Sequence, residues 1–198
     1  MKKILFTFII LLSINLSADD HIKPEQGAFT SLYVSASDVD KYVSFLRKNS
    51  DAFKAIGSSD AGVCITRSGN QYPGQMMIWN AFPSVEAAMI GSLKYDPYKA
   101  TGPISNLRNI KHSTIWKSLK SFRLEPGHEI VGRFKVKQEN ISSFVKAMDS
   151  LEKEIQDNGH PDFFNGVFVS IAGGAESQTL KVRSITSVSY THLRAHET

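Results

Sequence analysis

The sequence predicts an α+β fold made of a duplicated unit, and two pairs of matching segments support this prediction. The segment 34–46 returns at 136–148, and each copy has the pattern of a strand end, a turn and a helix whose apolar residues fall at i, i+3, i+4 and i+7. Further along, residues 62–78 match residues 166–182 in glycines and in the alternating apolar residues of two strands. Both halves therefore have the order strand, helix, strand, strand, which indicates one ancestral unit used twice.

The first unit spans residues 27–126 and contains a complete set of elements. Apolar alternation and helical spacing assign them. The predicted strands are 29–35, 61–67, 75–82 and 112–124, and the predicted helices are 38–56 and about 84–93. A helix is also compatible with the last of these strands. The residues from 94 to 109 include Asp-Pro and Gly-Pro pairs, which favour a long loop with at most a short helical turn.

The second unit, residues 127–187, is shorter than the first. Its predicted strands are 130–137, 163–171 and 179–186, and its predicted helix is 140–157. It lacks a second helix and a last strand, so we expect a truncated product that is short by about 40 residues if the copies are equal in length. The apolar face of its helix then has less to pack on, and its sheet keeps an unpaired edge, which favours association.

Residues 1–18 have the pattern of a signal peptide. Two lysines form a positive start, residues 4–16 form an apolar core, and small residues at 17 and 18 suit cleavage. A core of this length is too short for a bilayer span, which needs about 20 residues. We therefore expect export to the periplasm or beyond, with no stable membrane insertion after cleavage. An uncleaved membrane anchor is the alternative.

The residues 188–198 fit no element of either unit. They resemble the translated adaptor sequence that ends many open reading frames from environmental sequencing, so we interpret them as a non-native tail. His192 and His196 lie four residues apart in this tail. We exclude them as metal ligands for that reason.

Charge and cysteine content exclude some classes of protein. The chain has 23 basic and 19 acidic residues, and without its two ends the net charge falls from +4 to +2. This excess is too small for the strongly basic face of a nucleic-acid-binding domain, so no nucleic-acid partner is expected. Cys64 is the only cysteine, which rules out an intramolecular disulfide. Its apolar neighbours indicate a small buried side chain rather than a reactive thiol.

The order strand-helix-strand-strand-helix-strand, used in tandem over residues 28–186, resembles the ferredoxin-like, dimeric α+β barrel superfamily of antibiotic-biosynthesis-monooxygenase-like proteins and haem-degrading enzymes. The resemblance implies two antiparallel sheets packed face to face, helices outside, a ligand cavity between the sheets and a possible homodimer. Some haem-degrading relatives use an Asn, a Trp and a His. Asn80, Trp79 and His112 are the right types, but adjacent strand residues point to opposite faces. No cofactor is therefore expected.

Alternation along the strands predicts which side chains face the space between the sheets. In the first unit this face is mostly aromatic and apolar, whereas in the second it carries five cations. An aromatic wall opposite a cationic wall suits a small anionic, partly apolar ligand. The predicted ligand-binding residues are Tyr33, Trp79, Arg133, Lys135, Lys181 and Arg183. The alternative is a solvated outer face on which the lysines discourage edge pairing.

Enzyme motifs are missing from the sequence. There is no glycine-rich phosphate loop, no HExxH motif and no pair of cysteines, so no metal site or catalytic residue is assigned. Three functions stay open. The first is a ligand-binding protein, and the second is a cofactor-independent monooxygenase-like enzyme in which Tyr33 or His112 points into the cavity. The third is a non-catalytic interaction module with a filled barrel.

Overall fold

A computed structural model of the protein describes residues 21–22, 27–124, 127–172 and 174–186. The predicted signal peptide and the predicted non-native tail lie outside these residues. No helix among the described residues has both the length and the apolar character that crossing a membrane requires.

The described elements follow the predicted order closely. The strands are β1 (His21–Ile22), β2 (Ala28–Ala36), β3 (Asp60–Ile65), β4 (Gln75–Phe82), β5 (Arg108–Ser118), β6 (Phe122–Arg123), β7 (His128–Phe134), β8 (Phe164–Ala172) and β9 (Leu180–Thr186). The helices are α1 (Val39–Lys48), α2 (Asp51–Ala55), α3 (Val85–Lys94), α4 (Pro103–Leu107) and α5 (Ile141–Asp157).

The predicted first helix, 38–56, is two helices in the structure. Asp38 begins α1, where its carboxylate accepts a hydrogen bond from the backbone N–H of Lys41 at 3.0 Å. Asn49 ends α1 because both its backbone N–H and its side-chain amide donate to the carbonyl of Phe45. The helical spacing of apolar residues continues past Asn49, and for this reason the sequence predicts a single helix over 38–56.

Seven strands form one antiparallel sheet in the order β3-β4-β2-β5-β8-β9-β7. In both halves the third strand lies between the second and the first. The sequence predicts two separate sheets, but β5 and β8 pair along their edges, with Trp116 opposite Ser170. This pairing satisfies backbone groups that two free edges would leave exposed. Strands β1 and β6 form a separate antiparallel pair. The fold is α+β, and its division into two tandem units stays a prediction.

The sheet curls until side chains from its two outermost strands meet. Cys64 on β3 donates a hydrogen bond to Glu129 on β7, with the sulfur 3.3 Å from the carboxylate oxygen. The concave, inner face holds one core cluster and the convex, outer face packs on the helices. The inner cluster consists of Phe29, Trp116, Phe122, Phe164, Phe168 and Ile185. The outer cluster consists of Leu32, Val34, Ala36, Tyr42, Leu46, Met76 and Ile78.

The second half is more thinly covered than the first. Helix α5 has no buried residue, although its Phe144 ring lies 5.3 Å from the ring of Phe134. Strand β7 ends the sheet, and its Ile130 side chain is 76% exposed on the helix side. Among the described residues, this half therefore has a thinly packed helix and a strand that pairs on one side only, whereas the truncation itself stays a prediction.

We expect Gly74→Ala to lower the free energy of unfolding by about 2 kcal/mol or more. Gly74 has φ +64°, and a Cβ atom there would lie 2.0 Å from the carbonyl oxygen of Ala36. Gly69→Ala is the matched control, because Gly69 has φ +72° but nothing within 4 Å of an added Cβ. Urea unfolding followed by circular dichroism measures both. Equal losses would contradict the steric explanation.

Candidate functional site

The structure brings together five of the six predicted ligand-binding residues on the inner face of the sheet. The Tyr33 hydroxyl accepts hydrogen bonds from Arg133 at 3.0 Å and from Lys181 at 2.9 Å. The guanidinium of Arg183 lies 6.0 Å from the Trp79 ring. The aromatic face of the first half thus meets the cationic face of the second. Whether these residues bind a ligand stays a prediction.

The sixth predicted residue, Lys135, is not part of this cluster. It is exposed and lies one residue beyond the end of β7. The sequence places Lys135 on the same face as Arg133 because the two residues are two positions apart. This alternation of faces applies only within a strand, and β7 ends at Phe134.

Two carboxylates that the sequence analysis did not assign neutralise the two arginines. Glu176 lies 2.9 Å from Nε of Arg133, and Glu129 lies 2.6 Å from Nη2 of Arg183. Glu129 and Arg133 lie four positions apart on β7 and therefore point to the same face of the sheet. The sequence pattern could thus have placed Glu129 on the inner face. Glu176 belongs to a one-turn helix in the loop before β9, and no periodicity predicts where its side chain points.

His112 and Tyr33, the two side chains named for the enzyme hypothesis, lie together on the inner face. Their rings stack with centroids 4.5 Å apart, and Nε2 of His112 lies 3.4 Å from a carboxylate oxygen of Glu176. Burial by itself acts to raise the pKa of Glu176, but His112, Lys181 and Arg133 outweigh it and lower the pKa to about 2. Glu176 is therefore an anion at any physiological pH.

Lys181 is the inner cation that has no carboxylate within ion-pair distance among the described residues. Its side chain is fully buried, and Nζ lies 3.8 Å from the Trp116 ring and 5.0 Å from the Tyr33 ring. Burial lowers the pKa of this amine to about 7, although the charge of Glu176 acts to raise it. A large part of the amine is then neutral near pH 7.

Cys64 is half-buried, not fully buried as the sequence predicts. Burial, together with the negative charge of Glu129, raises the pKa of its thiol to about 12. Among the residues that the structure describes, no three His, Cys, Asp or Glu side chains converge in a way that could hold a metal ion.

A cavity of about 390 Å³ lies on the opposite, outer face of the sheet, beneath α1, α2 and α4. Its wall is mostly apolar. The apolar residues that line it are Leu32, Phe45, Leu46, Ala52, Phe53, Ile56, Ile78, Ala100 and Ile104. A neighbouring cavity of about 430 Å³, beside α3, shares part of this wall. Open space therefore lies between the sheet and the helices.

Arg108 is the charged residue in the wall of the 390 Å³ cavity. Its two terminal nitrogens donate to the hydroxyls of Tyr42 and Tyr95, each at 2.8 Å, and its guanidinium lies 5.9 Å from the Tyr42 ring. Within the described part of the chain no carboxylate lies within ion-pair distance of Arg108. Burial raises the pKa of Tyr42, so this tyrosine is a neutral partner at physiological pH. The guanidinium thus keeps its full charge beside an apolar cavity.

Sequence reasoning missed this second cluster. Arg108 lies in the segment 94–109, for which the sequence predicts a loop, and Tyr42 takes one of the apolar positions of the segment 34–46. Tyr42 is the one hydroxyl-bearing residue among the aliphatic residues on the buried face of α1. Because a buried tyrosine hydroxyl needs a hydrogen-bond partner, its presence could have indicated a polar contact there.

Comparison with known proteins supports the fold. No family model matches the sequence, and no curated protein matches it. The structure is similar to an anthrone oxidase-like protein at 11% identity and a TM-score of 0.54, covering 90% of this chain and 80% of that one. It is also similar to a proposed monooxygenase from Lactobacillus acidophilus NCFM at 10% identity and a TM-score of 0.50, covering 88% and 83%. At such identities the likeness concerns the fold alone: the chain shares the α+β fold of these two proteins.

Proposed function

We propose that the protein binds a small carboxylic acid with an apolar body in the cavity beneath α1, α2 and α4. The observation that carries this proposal is Arg108, a half-buried guanidinium that two tyrosine hydroxyls hold in place without a carboxylate partner among the described residues. The ligand class is the one that the sequence predicts. The location differs, because Arg133 and Arg183 on the inner face already have carboxylate partners.

Charge supports a carboxylate as the ligand group. A guanidinium has five N–H donors in a planar fork. Arg108 donates one N–H of each terminal nitrogen to Tyr42 and Tyr95, which leaves further N–H groups for a ligand. That fork matches the two oxygens of a carboxylate. Partial burial of a charge without a counter-ion carries an unfavourable desolvation free energy. An anionic ligand would offset this free energy by pairing with Arg108.

The shape and lining of the cavity support an apolar body. Its volume lies within the range of roughly 300–1,000 Å³ that is usual for small-molecule sites, and apolar side chains form most of its wall. Asn80 adds one polar group. Its side-chain nitrogen donates to Thr30, but its side-chain oxygen is buried without a hydrogen-bond partner among the described residues. A ligand that carries a hydroxyl group could donate to this oxygen, so a hydroxylated acid suits the site better than a plain one.

We expect phenylacetate, hydroxyphenylacetate and octanoate to bind, and the corresponding alcohols to bind at least tenfold more weakly. Arg108→Met is expected to weaken binding of the acids by about 10- to 100-fold, because a hydrogen bond to a charged group contributes roughly 1.5–3 kcal/mol. Isothermal titration calorimetry or ligand-observed NMR measures these affinities.

Arg47→Met is the matched control, because Arg47 is an exposed arginine of α1 outside the wall of this cavity. It is expected to leave the affinities unchanged. If Arg108→Met bound the acids as tightly as the native chain, the proposal would be wrong. If Arg133→Met and Arg183→Met abolished binding instead, the ligand would lie on the inner face.

We further propose that this binding takes place outside the cytoplasm, on the basis of the signal peptide that residues 1–18 predict. Expression of the full chain in a bacterial host, followed by fractionation, compares the periplasm with the cytoplasm directly.

A further inference from the structure

We propose that Lys181 is a reactive amine that forms an imine with a small carbonyl compound, such as an aldehyde or a 2-oxo acid. This site lies on the inner face of the sheet and is independent of the carboxylate cavity on the outer face.

The first argument is the contrast between Lys181 and the other cations of the inner face. Arg133 and Arg183 each contact a carboxylate, whereas the amine of Lys181 contacts the hydroxyl of Tyr33 at 2.9 Å. Aromatic rings surround the rest of the amine, the nearest being Trp116 at 3.8 Å. An amine that is withdrawn from water, and that lies beside other cations, gives up its proton readily and becomes a nucleophile. The lowered pKa of Lys181 agrees with this geometry.

The second argument is a group beside the amine that can move a proton. Imine formation needs a proton for the oxygen that leaves the carbonyl compound as water. The Tyr33 hydroxyl lies next to Lys181, and Nη2 of Arg133 donates to it at 3.0 Å. Burial raises the pKa of Tyr33, and the positive charges of Arg133 and Arg183 act to lower it. Arg133 thereby stabilises negative charge on the tyrosine oxygen while the proton is away. Tyr33 can therefore give a proton to the departing oxygen and take one back from the nitrogen.

The third argument is a pair of buried hydroxyls that have no hydrogen-bond partner among the described residues. They belong to Thr114 on β5 and Ser170 on β8, and Thr114 is only 2% exposed. Alternation puts both on the inner face with Trp116, whose ring covers the amine of Lys181. Buried polar groups normally have partners, so these two hydroxyls are available to bond the oxygens of a small ligand.

The reaction is balanced without an oxidant or a metal. The nitrogen lone pair of Lys181 attacks the carbonyl carbon, and one proton passes from this nitrogen to the carbonyl oxygen, which gives a carbinolamine. The hydroxyl of this intermediate then leaves as water with a proton from Tyr33 while the carbon–nitrogen double bond forms. The tyrosinate takes back the remaining proton from the nitrogen, which leaves the neutral imine, neutral Tyr33 and water. Access is possible from the side of Arg133 and His112, whose side chains are 36% and 25% exposed.

The experiment uses the native chain, glyoxylate and sodium cyanoborohydride at pH 7, with peptide mapping by mass spectrometry to locate the reduced adduct. Lys120 is the matched control, because it is also buried but has Glu152 at 2.8 Å and Asp149 at 3.4 Å. We expect Lys181 to be modified at least tenfold faster than Lys120. Equal or slower modification of Lys181 would overturn the proposal.

A Tyr33→Phe variant tests the proton transfer separately. It keeps the aromatic ring and Lys181, so we expect adduct formation at the same lysine with an initial rate at least tenfold lower. An unchanged rate would exclude Tyr33 from the reaction. Circular dichroism of the variant shows whether its fold is intact, and the native-chain comparison with Lys120 does not depend on that result.

Discussion

Glu129→Ala is expected to lower the free energy of unfolding by about 3–5 kcal/mol, because it leaves a buried guanidinium without a counter-ion. Arg183 is only 3% exposed, and two of its nitrogens contact the Glu129 carboxylate. Arg183 also contacts Cys64 Sγ at 3.8 Å and the rings of Phe29, Trp79 and Phe122, none of which replaces a carboxylate. Urea unfolding of the native chain and the variant measures the difference.

The double variant Arg183→Met with Glu129→Met separates the cost of an unpaired charge from the value of the pair. Replacing both partners with apolar residues of similar volume leaves no buried charge, so we expect a much smaller loss than in Glu129→Ala. Asp51→Ala removes an exposed ion pair with Lys54 and is expected to have no measurable effect. A double variant as unstable as Glu129→Ala would show that packing, not charge, explains the loss.

Stability is expected to fall by about 3 kcal/mol as the pH drops from about 4.5 to about 2, through the protonation of Glu176. The folded chain holds the pKa of this carboxyl at about 2, below the ordinary value of 4.5. Between these two pH values the unfolded chain binds a proton that the folded chain does not, so acid favours unfolding. The contribution of Glu176 is fully present above pH 4.5 and is lost as the pH passes below 2.

Glu176→Gln removes the titrating group and keeps the shape of the side chain. We therefore expect the variant to be less stable than the native chain at pH 7, with the gap closing as the pH falls towards 2. Thermal unfolding at a series of pH values follows this gap. A gap that stays constant with pH would mean that the charge of Glu176 does not contribute.

Local pattern determined much of the fold before the structure was known. The period of two along strands such as Gln75–Phe82, and the helical period of 140–157, depend only on residues close in sequence. The same alternation put Tyr33, Trp79, Arg133, Lys181 and Arg183 on faces that the structure brings together. Successive side chains of a strand point to opposite faces whichever strand it pairs with. These assignments therefore did not depend on the order of strands in the sheet.

Only the tertiary structure decided how the halves join and which charges are paired. The pairing of β5 with β8, the ion pair of Arg133 with Glu176 and the contact of Arg108 with Tyr42 join residues that lie more than forty positions apart. Loop residues such as Glu176 follow no period, so their direction depends on the chain around them. The sequence by itself therefore determined which faces are aromatic and which are cationic. Folding decided that Arg133 and Arg183 contact carboxylates while Arg108 and Lys181 contact tyrosine hydroxyls, because only folding sets the distances between these groups.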